Sequence, residues 1–256
     1  HVRIYEYNGN SWNQLGQDID GEYQYDKMGC AVSLSSNGHT IAIGASGYDA
    51  NGGSSTDAGY VKIYTWNGNS WVKIGNNIEG ENSYDDSGWS VSINNNGNRV
   101  AIGGYLNDGN GNNSGHVRVY EWDGSAWIKL GNDIDGEASD DESGHSVALN
   151  YNGNILAIGA PKNDGNGSNS GHVRVYEWTG NSWSQIGLDI NGEAANDYSG
   201  WSVSINNNGN RVAIGAIRNG GNGTGYSTGH VRIYEYNGNS WNQLGQDIDG
   251  EASVDE

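Results

Sequence analysis

The stretch SGWSVSINNNGNRVAIGG, Ser87 to Gly104, decides the fold. In WSVSI, Trp89, Val91 and Ile93 share one face, and Ser90 and Ser92 share the other. In RVAIG, Val100 and Ile102 oppose Ala101 and Gly103. A hydrophobic period of two is that of a strand, not of a helix. Between the two runs lies NNNGN, and Asn and Gly tolerate the positive φ that tight hairpin turns require. The segment therefore predicts two antiparallel strands. HVRVYEW, from His116 to Trp122, continues the alternation, with Val117 and Val119 opposite Arg118, Tyr120 and Trp122. A further turn, DGSA, leads to a fourth strand beginning at Trp127.

This unit repeats. The HVRVYEW-like block starts at His1, Tyr60, His116, His172 and His230, a spacing of 56 to 59 residues. Ser199 begins a near-copy of the opening stretch, with looser versions at Met28 and Ser143. A period of this size marks a repeat architecture. Small Ser, Ala and Gly on the first two strands and large Trp and Tyr on the last two suit wedge-shaped sheets around an axis. The expected fold is all-β, with β-propeller-type repeats of four-stranded antiparallel blades. A stacked solenoid is the structural alternative, but its coils need no pair of consecutive hairpins.

The expected organisation is one repeat domain over 1–256. Residues 1–27 form an outer hairpin and acidic loop, and 28–86, 87–142, 143–198 and 199–256 form successive blades. HVRIYEYNGNSWNQLGQDIDGE stands unchanged at both His1–Glu22 and His230–Glu251. The count is then four complete repeats plus one extra outer hairpin. That count predicts a segment of a longer array, or a spare hairpin that completes a blade of a neighbouring copy in head-to-tail assembly.

Composition narrows the function. The formal net charge is -19, from 12 Lys and Arg against 31 Asp and Glu. Nucleic acid is an unsuitable partner, because its phosphates are bound by basic residues. No apolar run reaches the roughly 20 residues of a membrane-spanning helix. The 43 glycines, 10 Trp and 16 Tyr fit many short strands joined by glycine turns rather than a disordered chain. Cys30 is the single cysteine, so no internal disulfide forms. It replaces the aromatic of the Ser-Gly-Trp corner and reads as a small core filler.

The pattern SGWSVSINNNGNRVAIG followed by SGHVRVYEW resembles the FG-GAP repeat of integrin-α-type β-propellers. The Ser-Gly-Trp corner stands where that family has Phe-Gly, and AIGAP at Ala157 to Pro161 matches its Gly-Ala-Pro element. AIGAS, AIGGY and AIGAI, starting at Ala42, Ala101 and Ala213, are looser versions. The resemblance implies an extracellular or cell-surface protein that binds partners through loops on one rim. It also implies a calcium loop, Asp-x-Asp-x-Asp-Gly, between the first two strands of many repeats. Here those junctions read SSNGHT, NNNGNR, NYNGNI and NNNGNR, without the carboxylates that calcium needs.

The acidic segment after the fourth strand is the better metal candidate. Asp133, Asp135 and Glu137 alternate around Gly136, and Asp18, Asp20 and Glu22 repeat the theme. Ca2+ is the expected ion. The bland alternative is a solvated connection in which an aspartate caps the next turn. Three N-x-Ser/Thr triplets, at Asn112, Asn166 and Asn222, are candidate glycan acceptors in the glycine-rich loop before the third strand. His1, His116, His172 and His230 share one repeat register, which argues for packing rather than catalysis, since a catalytic group is normally needed once. His39 and His145 are solitary. The Trp residues read as inter-blade core, with sugar stacking as the alternative.

No P-loop, HExxH, nucleophile elbow or sialidase box is present. The sequence thus predicts no catalysis. It predicts a secreted or surface module with a structural, adhesive role, binding a protein or glycan of a cell surface or matrix. The alternative is a lectin-like propeller with one carbohydrate site per blade.

Overall fold

The structure is a computed structural model and describes residues 1–47, 57–220 and 228–251. All its regular elements are strands. The opening stretch forms two of them, Ser90–Ile93 and Arg99–Gly104, paired antiparallel with Val91 opposite Ile102. His116–Trp122 adds to Arg99–Gly104, and Trp127–Lys129 adds to His116–Trp122. The same order recurs in three other sheets. They run Ala31–Leu34 to Trp71–Lys73, Ser146–Leu149 to Trp183–Gln185, and Ser199–Ile205 to Trp241–Gln243. Each is a β-propeller blade, here called the first to fourth in chain order.

One strand per blade escapes the sequence pattern. Ile134–Asp135 turns back and pairs with His116 and Val117, and Ile78–Glu79, Ile190–Asn191 and Ile248–Asp249 do the same in their blades. The acidic segment is therefore a strand for two residues. In the first three blades its isoleucine enters the core and the residue after it does not, whereas Ile248 of the fourth is 58% exposed. Ahead of the blades, Tyr5–Tyr7 and Trp12–Gln14 form a two-stranded hairpin, closed by the Val2–Ile19 bridge.

No blade owns a core. Ala42, Val61 and Ile63 of the first blade pack with Val100 and Ile102 of the second. Val117 and Val119 of the second pack with Leu156 and Ile158 of the third. The hairpin joins the scheme, its Ile4 and Ile19 lying on Ile41, Ile43 and Tyr60 of the first blade. The second and third sheets are covered on both faces, so the polar face of HVRVYEW is buried there as well: His116 and Arg118 are as sequestered as Val117. Stability is then a sum of neighbour interfaces, as in other repeat proteins.

The inner contact depends on small residues. The first strands of consecutive blades touch one another, which places them on the inside of the curve. Ser33 Oγ accepts a hydrogen bond from Ile93 N at 3.0 Å, and Ser92 Oγ accepts from Leu149 N at 2.9 Å. Ser90 and Ser146 donate to the carbonyls of Gly144 and Gly200 in the next blade. At the outer edge the contact is aromatic. Trp183 stacks on Trp178 at 5.5 Å and donates its indole N–H to Leu130 O of the preceding blade at 2.9 Å. Trp71, Trp127 and Trp241 donate in the same way to Leu15, Ile74 and Ile186. The Trp residues of this register are thus inter-blade contacts. Cys30 is not a core filler: it is exposed, because the residue after the corner glycine lies on the inner edge of the blade rather than between sheets.

Candidate functional site

Two arrangements bring functional chemistry together, one on the inner edge and one between blades. On the inner edge, the corner glycines Gly88, Gly144 and Gly200 have φ near +90° (89, 87 and 90), a conformation that favours glycine. The turn projects the next residue of each blade, Trp89, His145 and Trp201, into one row. His145 lies 4.3 Å from Trp201 and 5.8 Å from Trp89, ring to ring. Tyr105 of the AIGGY element completes the row, 4.6 Å from Trp89. His145 Nδ1 faces the Trp201 carbonyl at 3.3 Å. Burial lowers the His145 pKa, the carbonyl opposing it, so the ring is neutral near pH 7.

Charged groups flank the rings. Lys162 Nζ pairs with Glu142 at 2.7 Å, and the Arg218 guanidinium lies 5.0 Å over the Tyr198 ring beside Trp201. Asp86 is buried next to Tyr105, and its desolvation pushes its pKa up to about 6. Tyr105 rises in turn to about 12, by burial and by the carboxylate beside it. Flat apolar ring faces within reach of acids, a lysine and an arginine can stack and hydrogen-bond a polyhydroxylated ring.

Between blades, the structure divides the acidic segment. Glu137 reaches forward to the third blade, where His172 Nδ1 lies 3.8 Å from its Oε2 and 4.0 Å from Asp189 Oδ2. Glu193, His230 and Asp247 repeat the geometry in the fourth blade at 3.8 and 3.7 Å. Asp133 belongs to a different group, with Glu81 and His116. Asp135 is exposed and joins neither. In the hairpin, Asp18 pairs with Arg3 at 3.0 Å and Asp20 is exposed. Glu22 pairs with Lys62 at 2.8 Å. The three acid–histidine–acid groups found among the described residues were missed because the glutamate of each comes from the repeat before that of its histidine and aspartate. The signal available in the sequence is a fixed spacing, Asp following His by 17 residues at 116/133, 172/189 and 230/247.

Separate aspartates do the capping. Asp141 accepts from Ala138 N and from Asn163 Nδ2, and Asp197 accepts from Glu193 N, Ala194 N and Asn219 Nδ2. The hairpin junctions between the first two strands are plain turns: Asn94 Oδ1 accepts from Asn98 N and Arg99 N, Asn150 and Asn206 do the same in their blades, and Ser35 Oγ accepts from Thr40 N in the first. Of the triplet asparagines, Asn112 is exposed and donates to Asp140 at 3.4 Å. Asn166 Nδ2 donates to the carbonyls of Gly192 and Glu193, both at 2.9 Å. Asn222 lies outside the described residues.

Comparison with known proteins bears on both arrangements. Residues 79–120 and 134–176 match the model of the FG-GAP repeat. No curated protein sequence matches the chain. Solved structures do. The periplasmic gluconolactonase of Pseudomonas aeruginosa superposes with a TM-score of 0.64 at 13% identity, covering 99% of this chain and 65% of that one. A Bacteroides uniformis protein provisionally named 6-phosphogluconolactonase gives 0.61 at 11% identity, covering 98% and 66%. A Bacteroides fragilis protein of the same provisional name gives 0.56 at 10%, covering 99% and 60%. This chain therefore spans at most about two thirds of each, and at such identities the likeness is one of fold. It still corrects the sequence-based exclusion of catalysis, since the blades superpose on proteins named as enzymes. Linear motifs say nothing of a site assembled from several blades.

Proposed function

Taking the chain as a protein of FG-GAP repeats folded into propeller blades, we propose that it binds a sugar or sugar-derived ring on the row Trp89–Tyr105–His145–Trp201. The row itself carries the proposal: four rings from three consecutive blades, with Trp201 39% exposed at its end. This modifies the lectin-like reading from one site per blade to one composite site. The names of the similar structures supply the ligand class to try first, a gluconolactone or its open acid. Intrinsic Trp fluorescence titrated with D-glucono-δ-lactone and D-gluconate tests it, with lactone hydrolysis followed in parallel. Saturable quenching abolished in Trp201→Ala and Trp89→Ala supports the proposal. Quenching that is absent, or the same in both variants, defeats it.

The adhesive, partner-binding reading is favoured by a different observation. Trp12 is 68% exposed, whereas the equivalent Trp71 is seated on a preceding sheet and only 3% exposed. Gly245 has open space where Gly16, Gly75, Gly131 and Gly187 meet the Trp or Tyr rings of a following blade. A second copy whose Gly245 edge received Trp12 would repeat the contact that Trp71 makes with Gly16, a head-to-tail contact between copies. Sedimentation velocity over a concentration series checks this: association weakened by Trp12→Ala supports it, and a monomer at every concentration refutes it. An extracellular or cell-surface location accompanies both readings, supported by the FG-GAP repeats and by a periplasmic protein among the similar structures.

A further inference from the structure

His172 is 1% exposed, and neither ring nitrogen has a hydrogen-bond partner. The same holds for His230, at 5%. An unpartnered buried imidazole is costly. In both cases Nδ1 is aimed between two carboxylates that come from consecutive blades.

We propose that Glu137, His172 and Asp189 bind one divalent transition-metal ion of the zinc class, and that Glu193, His230 and Asp247 bind a second. Two metal–ligand bonds of about 2.1 Å span at most about 4.2 Å. The nitrogen-to-oxygen gaps are already 3.7 to 4.0 Å and the ligand atoms of each group all lie within 4.8 Å of one another, so side-chain rotation of the exposed glutamate suffices to close the group on one ion. One imidazole and two carboxylates, with water at the remaining position, are a normal donor set for zinc. Calcium, which takes oxygen ligands throughout, fits worse. The bound ion would clasp Glu137 of the second blade to His172 and Asp189 of the third.

The surroundings are built for this. Gln185 Nε2 donates to Asp189 Oδ1 at 2.7 Å and leaves Oδ2 facing the histidine. Gln243 does the same for Asp247 at 2.6 Å. Such outer hydrogen bonds orient metal-binding carboxylates. Arg174 and Arg232 do not close the gap. Their NH2 groups donate to the carbonyls of Asp135 and Asn191, and their NH1 groups stay 3.8 and 3.6 Å from Glu137 and Glu193. Both glutamates are nearly half exposed, which gives an ion a way in.

The other two junctions serve as internal controls. At the first, Tyr60 and Asn77 stand in the histidine and aspartate registers, and the Lys62 ammonium lies 2.8 Å from Glu22. A cation is covalently in place there. At the second, Glu81, His116 and Asp133 are present, but Lys129 replaces the glutamine and pairs with Asp133 at 2.8 Å. The proposal therefore assigns two ions to the chain, not three.

Cobalt(II) and zinc(II) titrations of the whole chain test it. Visible cobalt bands of imidazole coordination at two ions per chain, displaced by zinc, with a melting temperature raised by several degrees, are the expected result. Glu137→Gln and Glu193→Gln should each remove one ion, and the double variant both, with the metal-free melting temperature kept. Lys129→Gln should add a third. Absence of cobalt bands in the wild type overturns the proposal, and so does a double variant that binds two ions with wild-type affinity. A Lys129→Gln chain that still binds two overturns the part assigned to the ammonium.

Discussion

Gly103 and Gly144 lie in successive blades, and a Cβ on Gly103 would sit 2.0 Å from the Gly144 carbonyl oxygen. Gly44 with Gly88 and Gly159 with Gly200 repeat the relationship at the same 2.0 Å. In the first three blades the glycine of the AIG element thus receives the corner of the following blade, and in the second and third the Ser90 and Ser146 hydroxyls beside that glycine donate to the same corner carbonyl. A methyl group here meets backbone, which cannot swing away. Gly103→Ala should cost about 3 kcal/mol or more. Gly215→Ala meets only the Ser202 side chain and should cost under about 1 kcal/mol. Urea unfolding of both variants checks the contrast.

The outer edge makes a second comparison. Trp183→Phe keeps most of the stacking on Trp178 but strips the donor from Leu130 O. A loss of about 1 kcal/mol is expected, as for a half-buried carbonyl that loses its donor. Trp12→Phe should change folding stability by less than about 0.5 kcal/mol, because the ring is 68% exposed. Thermal melts of the two single variants separate these cases.

Asp86 makes the chain less stable near neutral pH. Desolvation raises its pKa to about 6 in the folded state, so the folded protein binds a proton more tightly than the unfolded chain. Its contribution is favourable below the unfolded carboxylate range and is lost as pH rises toward 6 and beyond. Asp86→Asn should therefore stabilise at pH 7 by about 2–3 kcal/mol and change little at pH 4. Asn also suits the φ of 51° at this position. Unfolding curves at the two pH values decide it.

Asp26 has the opposite sign. Burial opposes its ionisation, but the Tyr60 hydroxyl at 2.8 Å and the amides of Met28, Tyr23 and Glu22 outweigh burial and hold its pKa below the usual carboxylate range. Its stabilisation is complete above the unfolded carboxylate pKa and disappears as pH falls through the folded value. Asp26→Ala should cost about 3 kcal/mol or more at pH 7, since it removes the shared acceptor of the Tyr60 hydroxyl and of the Glu22, Tyr23 and Met28 amides. The loss should shrink below pH 4, which acid unfolding of the variant would show.

The strands were legible because their period of two is local. Trp89–Ile93 and Val100–Gly103 needed no partner to be recognised, and NNNGN announced the turn between them. The repeat spacing then implied stacked sheets, and the Ser, Ala and Gly content of the first two strands implied their close approach. The two-residue return strand at Ile134–Asp135 was hidden, because nothing in so short a segment distinguishes a strand from a loop until His116 and Val117 lie beside it.

The sequence by itself determined the secondary structure, the repeat and the family resemblance, all carried by neighbours along the chain. Only the tertiary structure decided what meets across blades. It split Asp133 from Glu137, sent each to a different histidine, and lined up Trp89, His145 and Trp201, which stand 56 residues apart. The reason is physical. An interior blade buries both faces against its neighbours, so each candidate ligand site takes at least one residue from a second repeat, and the distance across that junction is fixed by sheet packing rather than by spacing in the sequence.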